Sequence, residues 1–153
     1  MGDSTQTALV SARVSASETK SASVFVRSRR FEVGEALSFD ATDPRLSAVE
    51  YLLGALAADL VGGFKRLAAR RRLEVYEVEA VVEGIVAHPL VYLGVIGEEG
   101  EPHLAGVTLR VYASTFADRE SIEDAWTETM RRSPLATTLR KCLTFQIHFQ
   151  IAS

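Results

Sequence analysis

The sequence predicts an α+β protein with the element order βββ-α-ββ-αα-β. Three observations carry that prediction. Short runs with alternating apolar and polar residues flank a long central segment, and this period of two belongs to strands with one wet face. Residues 52–64, LLGALAADLVGGF, are instead apolar or small almost throughout, the composition of a buried helix. Two later segments open with residues that cap helices.

Taken in order, the first few residues are polar, and residues 1–7 are expected to be frayed. From Ala8 the runs ALVSARVSA, SASVFVRS and RFEVGE read as three strands. In DATDPRLSAVEYLL, Pro44 breaks the chain and Ser47 starts a helix. Ser47 and Glu50 have the spacing of a capping box, which satisfies orphan backbone donors at a helix start. The helix is expected over residues 48–71, and its end is crowded with Lys65, Arg66, Arg70, Arg71 and Arg72. Cations at that end complement the helix dipole, so the basic run reads as structural. Gly54, Ala58 and Gly62 recur every four residues, beside Ala55. Each helical glycine costs about 1 kcal/mol relative to alanine, so close packing against a second helix is expected there.

The strand LEVYEVEAVVEGIV follows, with Tyr76, Val78, Ala80 and Val82 inward and Glu77, Glu79 and Glu83 outward. A turn with a short helix or strand, then a Gly-rich loop, leads to HLAGVTLRVYAS, whose inward residues are Ala105, Val107, Leu109 and Val111. SIEDAWTETMRR reads as an amphipathic helix capped by Ser121. In SPLATTLRK, Ser133 caps a further helix and Pro134 takes its first position, where a missing N–H costs nothing. The last strand, CLTFQIHFQIAS, puts Leu143, Phe145, Ile147, Phe149 and Ile151 on one face and Thr144, Gln146, His148 and Gln150 on the other.

The bulk properties bound the function. The 153 residues are one domain's length, with no repeat or linker, so a single domain over 1–153 is expected. Seventeen basic and 20 acidic side chains give a net charge of −3, which argues for neither nucleic acid nor an anionic membrane as partner. The apolar segment is too short to span a bilayer. One cysteine and no signal-like start fit a cytoplasmic protein. His88, His103 and His148 have no ligand spacing, so neither a metal nor another cofactor is expected. Ser133 lies in no nucleophile elbow, and its cap role accounts for it.

The central segment SAVEYLLGALAADLVGGFKRLAARR and the later RRSPLATTLRK, in this order of elements, resemble the OsmC/Ohr family. Its members start the central helix with a pattern close to S/N-P-E-E/Q-L-L-x-A-A-L-G-S-C. A late helix starts with C-P-V, a Ser/Thr-rich turn and Leu. The resemblance runs from about Ala8 to the C-terminus. It implies an intertwined homodimer in which sheets wrap around paired central helices, with two sites at the subunit interface. Family members reduce organic hydroperoxides with the two cysteines of those motifs, aided by a glutamate and an arginine.

Carried over by position, Asp59 stands where the peroxidatic cysteine would be and Ser133 where the resolving one would be. Ala48 and Val49 replace the Pro-Glu at the helix start, although Glu50 follows. The assisting arginine could be Arg27, Arg29, Arg30 or Arg45. Hydroperoxide reduction needs a reactive thiolate, and neither a carboxylate nor a hydroxyl can form the sulfenic acid and disulfide of the cycle. The resemblance therefore implies a repurposed protein with no confident catalytic residue. It would bind a small apolar or organic ligand in an interface pocket lined by Tyr51, Leu52, Asp59 and Ser133. Asp59 and Ser133 should then meet as a polar strut where relatives form a disulfide. The alternative is a stress-response hydroperoxide reductase acting through Cys142, read as a polar-face residue of the last strand, or through a partner's thiol.

Overall fold

The computed structural model describes residues 6–35 and 44–152. Most of the segment expected to be frayed, 1–5, lies outside them, as does the start of the DATDP stretch. The chain divides into two compact units, up to Val49 and from Glu50 onward.

In the first unit β1 (Arg13–Ser15), β2 (Ala22–Val26) and β3 (Arg29–Val33) form an antiparallel meander. β1 is far shorter than the alternation from Ala8 predicts. Its partner β2 turns away at Arg27, so the chain before Arg13 runs past the end of the ladder, leaving Leu9 and Val10 exposed. The Arg13 guanidinium lies 4.2 Å from the Phe25 ring centre, a cation–π contact at the surface. No residue of 6–35 is buried.

The second unit holds α1 (Ala48–Arg70, beginning two residues before the division), β4 (Val75–Ala87), α2 (Pro89–Tyr92), β5 (His103–Thr115), α3 (Arg119–Arg132), α4 (Pro134–Arg140) and β6 (Thr144–Ala152). The order β4-β5-β6 pairs β4 antiparallel and β6 parallel to β5. A parallel pair needs a crossover, and α3 with α4 supplies it. Leu56, Leu60 and Phe64 of α1 are fully buried with Leu109 and Val111 of β5 and Ile122 of α3. Phe64 meets Trp126 and Phe149 edge-on at 5.7 and 5.4 Å, and those two rings stack at 4.8 Å. Burying a side chain of that size contributes about 1.5–3 kcal/mol.

The α+β class and the element order match the sequence reading, and the segment after β4, compatible in sequence with a short helix or a strand, is the one-turn helix α2. The inward sets of β5 and β6 hold for Val107, Leu109 and Val111 and for Phe145 through Ile151, while Ala105 is half-buried beside a bulge. Three local readings are corrected. Tyr76 points outward, 57% exposed and edge-on to Phe116 at 5.7 Å, because a register shift between Val75 and Glu77 reverses the parity at the start of β4. Asp118, not Ser121, caps α3: its carboxylate accepts from the Ser121 N–H at 2.9 Å, which lowers its pKa. Cys142 lies before β6 in the turn after α4, its thiol donating to the Thr138 carbonyl at 3.4 Å.

The small-residue stripe on α1 is exposed at Gly54, Ala55 and Ala58, next to exposed Leu52. A methyl group on Gly54 would meet nothing within 4 Å, so the close packing expected at this stripe is not found among the described residues.

Candidate functional site

Asp59 lies half-buried in the middle of α1, and Ser133 is the single residue between α3 and α4. Pro134 fixes its own backbone for the first turn of α4 and disfavours helical geometry in the residue before it. Ser133 is accordingly extended (φ −77°, ψ 117°), and its Oγ accepts from the Ala136 N–H at 3.0 Å. Capping uses the oxygen and leaves the hydroxyl proton free, which Ser133 donates to Asp59 Oδ2 at 2.6 Å. The two residues thus meet across 74 positions of sequence. A hydrogen bond to a carboxylate contributes about 1.5–3 kcal/mol. It resolves the paradox of a charge in an apolar helix, since the carboxylate has a buried partner.

The pair borders a cleft of about 170 Å³ lined by Asp59, Gly63, Arg66, Leu67, Arg70, Thr129, Arg132 and Ser133, all from α1, α3 and their junction with α4. Its width depends on Gly63, where an added Cβ would come within 3.3 Å of the Thr129 methyl group. Thr129 is buried and spends its hydroxyl on the Ala125 carbonyl at 2.8 Å, so it contributes a methyl wall. At the rim, Arg132 shares Glu128 with Arg131, at 2.5 and 2.7 Å. The two arginines, Arg131 foremost, hold the Glu128 carboxyl down to about 2.

Asp59 and Ser133 are therefore together, but Tyr51 and Leu52 do not line this cleft. They precede Asp59 by two turns of α1, roughly 10–12 Å along its axis. The lining is also cationic rather than apolar. Of the arginines proposed from sequence, Arg27, Arg29 and Arg30 belong to the β2–β3 hairpin, where Arg30 bonds Ser23 and Glu32 at 3.0 and 2.8 Å. Arg45 precedes α1. The arginines at the cleft are instead Arg66 and Arg70, which the sequence presents as helix-end charges, and Arg132 of α3. One signal could have found them: 59, 63, 66 and 70 follow the spacing of a single helix face. Cys142 is exposed and is not among the lining residues. Among the described residues no three His, Cys, Asp or Glu side chains are grouped to hold a metal, and no helix is long and apolar enough to cross a membrane.

A sheet of mixed pairing backed by a central helix, with a late helix start brought to that helix's middle, is the OsmC-like fold. The chain superposes on an OsmC-like protein from Mycoplasma pneumoniae with a TM-score of 0.79 at 13% identity, covering 97% of this chain and 100% of that one. It is similar to the organic hydroperoxide resistance protein OhrB of Bacillus subtilis, with a TM-score of 0.63, 18% identity and coverage of 94% and 100%. It is also similar to an organic hydroperoxide resistance protein OsmC from Legionella pneumophila, with a TM-score of 0.67, 13% identity and coverage of 96% and 100%. No protein-family model and no curated protein sequence matches the chain.

Proposed function

We propose that this chain is a cytoplasmic, homodimeric relative of the OsmC and Ohr proteins that has given up thiol chemistry and binds a small organic molecule in the cleft beside Asp59 and Ser133. One observation carries the reading: Ser133 Oγ donates to Asp59 Oδ2 at 2.6 Å at the two positions that the resemblance gives to the redox cysteines. Formation of this bond moves no electrons, so the joint cannot pass oxidising equivalents from a peroxide to a reductant. The cleft of about 170 Å³ lies beside it. The N-terminal sheet, which buries no residue over 6–35, and the uncovered stripe at Gly54, Ala55 and Ala58 support assembly with a second copy.

The deciding measurement is consumption of cumene hydroperoxide with dithiothreitol or a lipoyl reductant. The expected result is no turnover above buffer, in wild type and in Cys142→Ala alike. Turnover by wild type that disappears in Cys142→Ala would overturn the reading in favour of a reductase using that thiol. Light scattering after size exclusion should give the mass of two chains, and a monomer would reject the dimer. Native mass spectrometry of the purified protein is expected to show a co-purifying small molecule.

A further inference from the structure

We propose that the cleft is an oxyanion site in which Arg66 and Arg70 hold the carboxylate or phosphate group of a small ligand. This rests on the reading that the cleft binds a small molecule, and adds its chemical class. The cations near the end of α1 divide into two groups. Lys65 Nζ is tied to the Val75 and Tyr76 carbonyls at 2.6 and 3.2 Å, and Arg71 pairs with Asp124 at 2.6 Å. Those two are structural, as a basic helix end suggests. Arg66 and Arg70 instead line the cleft, and neither takes part in an ion pair among the described residues. They are one turn apart on one face, a like-charge spacing that weakens a helix unless an anion lies between them. Arg132 brings a third guanidinium to the same space, its charge partly met by Glu128.

The backbone is shaped for this arrangement. A Cβ on Gly62 would sit 3.1 Å from Arg66 Nη1, so the guanidinium lies against bare helix at that point. A planar guanidinium pair favours a planar or tetrahedral oxyanion, which accepts two parallel hydrogen bonds from each fork. Asp59 adds a restriction. Its Oδ2 is engaged by Ser133, while Oδ1 has no protein donor among the described residues. A free carboxylate oxygen beside the arginines repels a bare polyanion and accepts from a hydroxyl or ammonium group. The fitting ligand is a small acid with such a donor near its anionic group.

Calorimetric titration of the purified chain at low ionic strength tests this, with glycolate and inorganic phosphate as separate probes and sodium chloride as the matched control. The expected result is saturable binding of at least one probe, one per chain, weakened by added salt. Arg66→Gln and Arg70→Gln should each lower the affinity about tenfold or more. Arg72→Gln, outside the cleft, should not. Which probe binds tells a carboxylate from a phosphate ligand. If neither probe saturates, or if both cleft variants bind as wild type, the proposal is overturned. The parent reading then stands or falls separately, on the hydroperoxide assay and on whether a neutral molecule co-purifies.

Discussion

The two three-stranded sheets of this chain differ in what they bury. β4, β5 and β6 enclose a continuous core with α1 and α3, in which Leu56, Leu60, Phe64, Leu109 and Val111 have no exposed surface. β1, β2 and β3 have complete ladders between them, yet no residue of 6–35 is buried, and Val24 and Phe25 are only half covered. Hydrogen-bonded strands alone give little stability in water; a sheet persists by burying a face. The comparison teaches that the second sheet carries its own core, whereas the first, taken by itself, has pairing without a buried face.

The sharpest way to break that comparison is a pair of truncations. Phe64→Ala should lower stability by about 3–5 kcal/mol, while Val24→Ala should cost under about 1 kcal/mol in a dilute, single-chain sample. Urea unfolding followed by Trp126 fluorescence measures both. Similar losses would mean that β2 is covered as thoroughly as the core, most simply by the proposed second copy. Next in size is the joint between α1 and α4. Ser133→Ala removes a cap and the donor to Asp59, an expected loss of about 1–3 kcal/mol. Asp59→Asn keeps an acceptor but loses the charge assistance, so about 1 kcal/mol is expected. An unchanged melting temperature in both would reject the strut.

Gly54→Ala is a finer probe. In an uncovered helix the change adds about 1 kcal/mol of stability, but in a helix pair packed at the stripe it forces the backbones apart. A weaker dimer is expected by analytical ultracentrifugation; a tighter or unchanged dimer with a raised melting temperature would place the interface elsewhere. The smallest effect should come from Glu128. Its carboxyl titrates at about 2 in the folded chain against an ordinary value of 4.5, because Arg131 and Arg132 bond its charged form. A depressed folded value stabilises the protein above pH 4.5 and loses that contribution as pH falls toward 2. Glu128→Gln should therefore flatten the acid limb of the melting-temperature profile over that window, and an unchanged limb would discount the pair.

Much of this was legible from residues alone, and the failures have local causes. β6 alternates without interruption, so parity assigned each of its faces correctly. β4 begins with a register shift, and parity counted across it put Tyr76 on the wrong side. Pro134 made Ser133 an unambiguous cap. Ser121 had a competitor in Asp118, and a carboxylate two residues after Phe116 won because the helix could start earlier. The meeting of Asp59 with Ser133 was accessible only through the resemblance, since no local pattern links residues 74 apart. The cleft arginines were hidden by a correct generalisation. Cations do gather at helix ends, and Lys65 and Arg71 behave that way, but the rule does not separate them from neighbours on another face.

The elbow at Ser133 has a consequence for how the chain can vary. Connections between elements usually tolerate extra residues because they run over the surface. Here the connection is one residue long, 5% exposed, and its hydroxyl is held twice, accepting from the Ala136 N–H and donating to Asp59. Inserting a residue beside it would displace α4 relative to α3 and lift the hydroxyl out of reach of α1. This one-residue linker should therefore be among the unit's least permissive positions in length, while the polar loop at 97–102 between α2 and β5 remains free to grow.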